Sequence, residues 1–184
     1  MRKDMQRRYF TRRKNRFRPL WVSLLIFAML VGGLWLLAAR LVFQVTGSLP
    51  KGLYLISEAA AIEKGDLVLL DVPQRVRAMA RRRGWIPAGL HYWLMKPVAA
   101  AAGDRVKVSA FGVFINGEYF GSVQQFDAQG LPLPAATGVF DLGAGEFFLA
   151  SPDPRSFDSR YFGPVRRGQI RAVARPLAVF GGGK

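Results

Sequence analysis

The sequence contains no cysteine, one histidine, and 12 acidic residues against 27 basic ones in a chain of 184. Without cysteine there is neither a disulfide nor a thiol nucleophile, and an oxidising compartment leaves no trace, which does not argue against export. The lone histidine, His91, argues against a Ser-His-Asp triad and against a histidine-rich metal site, and its setting reads as a strand edge. No metal ion or cofactor is expected. No internal repeat is evident, and no long amphipathic helix follows residue 43.

The surplus of basic groups is unevenly placed. Residues 1–18 hold nine Lys or Arg against a single acid, Asp4, a net +8, and the other 166 residues carry the remaining +7 of the chain's +15. Pro19 to Ala39 then runs for 21 residues without a charge. At about 1.5 Å per residue that run spans about 31 Å, the hydrocarbon thickness of a bilayer. It lacks the polar stripe of a core helix and exceeds the apolar stretch of a cleavable signal peptide, and Leu37 spoils a small-x-small cleavage site ending at Ala39. The segment reads as an uncleaved signal anchor. The basic cluster before it should remain cytoplasmic, which sends the rest of the chain to the far side, the periplasm of a bacterium. Topology and anionic lipid account for the basic tail, so no nucleic-acid partner is inferred.

Three regions follow: a basic cytoplasmic tail (1–18), a transmembrane anchor (19–43) and an exported domain (44–184). Short apolar runs in the last alternate with turn signals. Strands are expected at 52–57, 66–71, 92–95, 105–108, 113–115, 147–150 and 170–179. Asn116-Gly117 between Val113-Phe114-Ile115 and Glu118-Tyr119-Phe120 marks a two-residue hairpin. A short helix fits 74–83, and 121–145 reads as a loop excursion. The expected fold class is mainly β behind one N-terminal membrane helix.

Two residues in this domain suggest chemistry. Ser48 sits in Thr46-Gly47-Ser48-Leu49-Pro50-Lys51-Gly52, where glycine and proline shape a turn that exposes a hydroxyl and aims nearby N–H groups. It follows Arg40 by only eight residues, close to the outer end of the anchor. Lys96 lies between Tyr92-Trp93-Leu94-Met95 and Pro97-Val98-Ala99, an apolar setting that favours the neutral amine a general base requires. Each alone reads more simply, Ser48 as a turn residue and Lys96 as a side chain snorkelling from a strand end. Together they suit a Ser-Lys hydrolase. Trp85, Tyr92, Trp93 and Arg81-Arg82-Arg83 fit either lipid headgroups or a solvated basic loop.

The motifs resemble those of type I signal peptidases. Thr46-Gly47-Ser48-x-Pro50 is similar to the family's nucleophile motif, Lys96 to Asp104 with Val106 to its lysine segment, and Ser156-Phe157-Asp158-Ser159-Arg160-Tyr161-Phe162-Gly163 to its Ser-x-Asp-Ser-Arg stretch. The continuation Leu49-Pro50-Lys51-Gly52-Leu53-Tyr54 resembles the TraF-type conjugal transfer peptidases more than housekeeping enzymes. This resemblance implies a β-rich signal-peptidase fold and a serine endopeptidase in the bacterial inner membrane. Its substrate would be an exported precursor, the pilin of a conjugation apparatus. It implies Ser48 as nucleophile, Lys96 as base, Ser156 orienting Lys96, and the Thr46 hydroxyl with the Ser48 N–H as oxyanion hole. It leaves Asp158, paired with Arg160, either structural or tied to activity, and gives Gly103-Asp104 a turn role. The family's Gly-Asp-Asn before the third motif is replaced by Ser151-Pro152-Asp153-Pro154. A general signal peptidase and a non-catalytic subunit of a secretion machine remain the rival readings.

The charge asymmetry makes a direct prediction. A phosphatase reporter fused after Lys184 should be active only outside the cytoplasm, and protease added to spheroplasts should degrade the domain. Cytoplasmic activity of the fusion would overturn the topology.

Overall fold

The computed structural model describes residues 18–45, 47–85 and 93–180, in two compact units, 1–40 and 41–184. In the first, α1 (Arg18–Ala38) is a 21-residue helix. Every side chain from Leu20 to Ala38 is exposed, and by length and composition this stretch could cross a membrane. The chain then enters β1 (Leu41–Gln44), so the expected anchor boundary at residue 43 falls inside a strand of the second unit.

The second unit is mainly β, as expected. Its other strands are β2 (Lys51–Ser57), β3 (Leu67–Asp71), β4 (Trp93–Ala100), β5 (Arg105–Ser109), β6 (Gly112–Ile115), β7 (Glu118–Gly121), β8 (Gly138–Asp141), β9 (Glu146–Leu149), β10 (Val165–Arg166) and β11 (Ile170–Phe180). Helix α2 (Gln74–Arg82) follows β3, and the short α3 (Ser159–Phe162) precedes β10. One seven-stranded sheet runs β1-β2-β11-β3-β4-β9-β10, and a four-stranded sheet runs β7-β6-β5-β8.

Alternation along β3 explains how the larger sheet is buried on both faces. Val68 and Leu70 pack with Leu94, Val98, Leu149 and Val173, while Leu69 points the other way, to Tyr54, Met95 and Ala174. A strand covered on both faces loses polar alternation, which is why Leu67-Val68-Leu69-Leu70 is a continuous apolar run. A third cluster joins the sheets, with Val106, Val108 and Val113 meeting Ala100 and Phe148. Asn116 (φ 52°) and Gly117 (φ 89°) form the expected hairpin turn between β6 and β7.

Two expectations need correction. Lys96 was expected at a strand end, but β4 continues through Pro97 to Ala100. Proline lacks an N–H and ordinarily interrupts a central strand. Here the β3 side stays bonded beyond Pro97, with Val98 exchanging backbone hydrogen bonds with Asp66 and Gly65, while pairing with β9 starts only at Val98, so the missing donor falls at the end of the β9 ladder. The second correction concerns 121–145, which contains β8, paired along β5. The rest of that excursion is held in place. Arg83 Nη1 lies 2.8 Å from Asp127 Oδ2, Arg83 Nη2 donates to the Pro132 carbonyl at 2.7 Å, and Ala136 N–H to the Arg160 carbonyl at 2.8 Å.

Gly52 opens β2 under a tight constraint. A Cβ there would lie 2.3 Å from the Ala178 carbonyl oxygen and 2.7 Å from Val179 Cα, both backbone atoms that cannot rotate away. Gly52→Ala should therefore destabilise the domain by about 1–3 kcal/mol. The expected readout is a lower urea midpoint for the full chain in detergent, with unchanged slope. An unchanged midpoint would mean that β2 and β11 cross more loosely than the structure has them.

Candidate active site

The position of Lys96 follows from strand alternation. It shares parity with Leu94 and Val98, which belong to the core, and it pairs across the sheet with the fully buried Val68. The residue is only 4% exposed. Its Nζ donates to Ser48 Oγ at 2.8 Å and to Ser156 Oγ at 2.8 Å. Burial lowers the Lys96 pKa from 10.5 to about 8. Asp158 and Asp153 pull it back up and Arg160 adds to the fall, all three more weakly than burial.

Ser48 is half-buried in the turn between β1 and β2. That turn is tied down on both sides of the residue. The buried Tyr54 hydroxyl donates to the Pro50 carbonyl at 2.8 Å, and Ser151 Oγ donates to the Ser48 carbonyl at 2.9 Å. Ser48 and Lys96 border a cleft of about 610 Å³, lined also by Val42, Phe43, Leu69, Met95 and Phe157. Because β9 begins pairing with β4 only at Val98, Leu94 to Lys96 face this cleft on that side.

Behind the two serines lies a buried ionic support. Asp158 and Arg160 are fully buried, with Arg160 Nε 3.1 Å from Asp158 Oδ1, at ion-pair distance but without hydrogen-bond alignment. Asp158 accepts the Ser151 N–H at 3.1 Å and the Arg160 N–H at 3.2 Å, capping α3. Arg160 donates to the carbonyls of Ser151, Ser122 (3.2 Å) and Asp153 (3.3 Å). Burial pushes the Asp158 carboxyl upward, opposed chiefly by the Arg160 charge and the Ser151 N–H. Since a buried charge left alone costs several kcal/mol, the pair and its carbonyl partners act as one unit.

The structure thus brings together Ser48, Lys96 and Ser156, and stacks Asp158 and Arg160 behind them. Thr46 and His91 lie outside the described residues. Gly103 (φ 89°) and Asp104 form the turn after β4, where Asp104 accepts the Ala101 N–H at 2.9 Å. Trp85 meets Phe157 edge-on at 5.2 Å between centroids, with Arg83 5.3 Å from its ring, so both are engaged within the domain. Sequence reasoning missed Ser151 as a residue that holds the nucleophile turn. The signal was present in the Ser-Pro-Asp-Pro run that replaces Gly-Asp-Asn, where Ser151 brings a hydroxyl into the segment before the third motif. Among the described residues no cluster of His, Asp or Glu suited to a metal ion occurs.

Comparison with known proteins adds relatives to this geometry. Residues 14–178 match the family described as "Signal peptidase, peptidase S26". The "Plasmid transfer protein TraF" of Escherichia coli is 39% identical over 158 residues, covering 81% of this chain and 88% of the relative. The "Conjugal transfer protein TraF" of Agrobacterium tumefaciens (strain 15955) is 37% identical over 169 residues, covering 87% and 90%. A signal peptidase I from Enterococcus faecalis V583, at 17% identity, superposes loosely over 61% of this chain and 96% of that one, with a TM-score of 0.36.

The lowered Lys96 pKa can be read without any substrate. In a ¹³Cε-lysine NMR titration of the full chain in micelles, one resonance should titrate near pH 8 and be absent from Lys96→Met. If no lysine resonance titrates near pH 8, Lys96 is hydrated rather than buried.

Proposed function

The chain belongs to the S26 signal peptidase family, and on that premise we propose that it is a membrane-anchored Ser-Lys endopeptidase that cleaves an exported precursor. The observation carrying this reading is the Lys96 Nζ held 2.8 Å from Ser48 Oγ in an apolar setting that favours its neutral form. In that form Nζ accepts the Ser48 hydroxyl proton as Oγ attacks the scissile carbonyl carbon, giving a tetrahedral oxyanion. The Ser48 N–H and the Thr46 hydroxyl would receive that charge, and a single such donor is typically worth about 3–4 kcal/mol. Collapse expels the amine, which takes the proton from the Lys96 ammonium and leaves an acyl ester on Ser48. Lys96 then deprotonates a water that hydrolyses the ester.

Ser156 limits the freedom of the amine. An aliphatic ammonium or amine on four rotatable bonds finds Ser48 only if something fixes its other side, and Ser156 Oγ occupies that role. Asp158 and Arg160 hold the loop that carries Ser156 and act through it. An extended substrate segment would lie along Leu94 to Lys96, where β4 borders the cleft, adding main-chain hydrogen bonds as strands do.

The relatives' printed roles in plasmid and conjugal transfer favour a pilin-like precursor of a conjugation apparatus. The family resemblance favours a small residue such as Ala beside the scissile bond. The basic tail and α1 support a single pass through the bacterial inner membrane, N-terminus inside and the domain of 41–184 in the periplasm.

The Ser-Lys reading makes joint predictions for the purified full chain. Ser48→Ala and Lys96→Ala should each abolish cleavage, as should Lys96→Arg, because a guanidinium stays protonated. Ser156→Ala should cost roughly 10- to 100-fold, the worth of a hydrogen bond to an ionisable group. Because the neutral amine is the reactive form, kcat/KM should rise about tenfold per pH unit below about 8 and level off above it. Retained activity in Lys96→Arg, or a flat profile from pH 6 to 9, would remove lysine from the mechanism. Mass analysis after incubation with a pilin precursor encoded nearby and with a generic secretory precursor identifies the substrate. Processing of the generic precursor alone would favour a housekeeping peptidase, and wild-type function in Ser48→Ala a non-catalytic subunit.

A further inference from the structure

A second cavity, of about 420 Å³, adjoins the cleft that holds Ser48 and Lys96, and Arg155 and Phe157 line both. The partition between them is one turn of chain. Ser156 faces Lys96, and the next residue, Phe157, presents its ring to the second cavity. There Phe157 stacks on Tyr161 at 5.1 Å with planes 4° apart, and Trp85 meets it edge-on at 5.2 Å. Phe126 closes another wall and stays 58% exposed.

The polar groups around this space are already engaged. Asp127 accepts from Arg83 and from the N–H groups of Gln129 and Leu131, both at 2.9 Å, while the Tyr161 hydroxyl accepts the Gln124 N–H at 3.0 Å. Apart from Arg155, which is exposed and lies 3.5 Å from Asp153, what remains on offer is aromatic and apolar surface on a wall pinned by the Arg83–Asp127 pair. Such a surface favours a large apolar group over a charged one. The volume lies toward the small end of ligand pockets, about 300–1,000 Å³, which suits one or two side chains better than a whole cofactor.

We propose that this cavity is a specificity subsite that takes an aromatic or branched aliphatic side chain of the polypeptide being cleaved, at a position removed from the scissile bond. The inference rests on the peptidase reading, since Arg155 and Phe157, which line both, place the cavity directly beside the cleft. It gives the enzyme something that a small residue at the cleavage point cannot supply. Small residues are common in exported chains, and a pocket contact with an apolar side chain discriminates by roughly 10- to 200-fold.

The test uses the full chain in detergent micelles and peptides with Ala fixed at the scissile bond. Phe or Ser is placed in turn at each other position on both sides. The expected result is one position at which Phe lowers KM roughly tenfold or more relative to Ser, with a smaller change in kcat. In Phe126→Asp that preference should vanish, and Phe126→Ser provides the same readout if the aspartate prevents folding. Phe111→Ser, at an 88% exposed hairpin tip between β5 and β6, should keep both the preference and the parent kinetics. Equal KM for Phe and Ser peptides at every position would overturn the subsite and leave the Ser-Lys chemistry standing. So would a preference that survives both Phe126 variants. Failure of the wild type to cleave any peptide would sink the subsite together with the peptidase reading.

Discussion

The burial of the Lys96 amine is the constraint on which the rest of this site depends. A pKa lowered from 10.5 to about 8 corresponds to about 3 kcal/mol against the charged form. The sheet imposes that cost through alternation, because the parity that buries Leu94 and Val98 also buries the residue between them. Moving the strand register by one residue would carry Lys96 to the opposite face, away from Ser48 and Ser156. The chemistry proposed for the amine is therefore a property of the β3–β4 pairing, in which Val68 opposes Lys96 directly.

A buried cation needs compensation that does not quench its reactivity, and the arrangement of Asp158 and Arg160 suits that need. Asp158 next to Lys96 on its own would hold a proton on the amine. Arg160, at ion-pair distance from Asp158, opposes that field, and burial remains the dominant influence on Lys96. The pair also does mechanical work through its carbonyl contacts. Ser151 is gripped at its N–H by Asp158 and at its carbonyl by Arg160, and its hydroxyl in turn holds the Ser48 carbonyl. A residue behind the site is in this way connected to the backbone of the nucleophile turn without touching the amine.

Much of this architecture could be read from the sequence because the residues carrying it are locally unambiguous. The Asn116-Gly117 turn, the apolar run of β3 and the uncharged stretch of α1 each admit few conformations. The sequence was less informative where a partner elsewhere decides the outcome. Pro97 looked like the end of a strand because its missing N–H is visible locally, whereas the late start of the β9 ladder that accommodates it is not. Val139 and Phe140 in β8 are too short an apolar pair, among glycines and prolines, to signal a strand without β5 beside them. Ser48, Lys96 and Ser156 were legible by motif. Ser151 was not, since a serine in a Ser-Pro-Asp-Pro run reads as a plain turn residue until its acceptor, 103 residues earlier, is known.

These long separations bear on how the site forms. Ser48 meets Lys96 across 48 residues, and Lys96 meets Ser156 across 60. No local segment can assemble any two of them, so the apolar surroundings that neutralise the amine exist only after β3, β4 and β11 have closed the larger sheet. Before closure Lys96 is hydrated and protonated, and Ser48 is an ordinary hydroxyl on a tight turn. A hydrolase proposed to act on unfolded, extended segments would thus be chemically silent while its own chain is still unfolded, because the reactive form of its base is a product of folding.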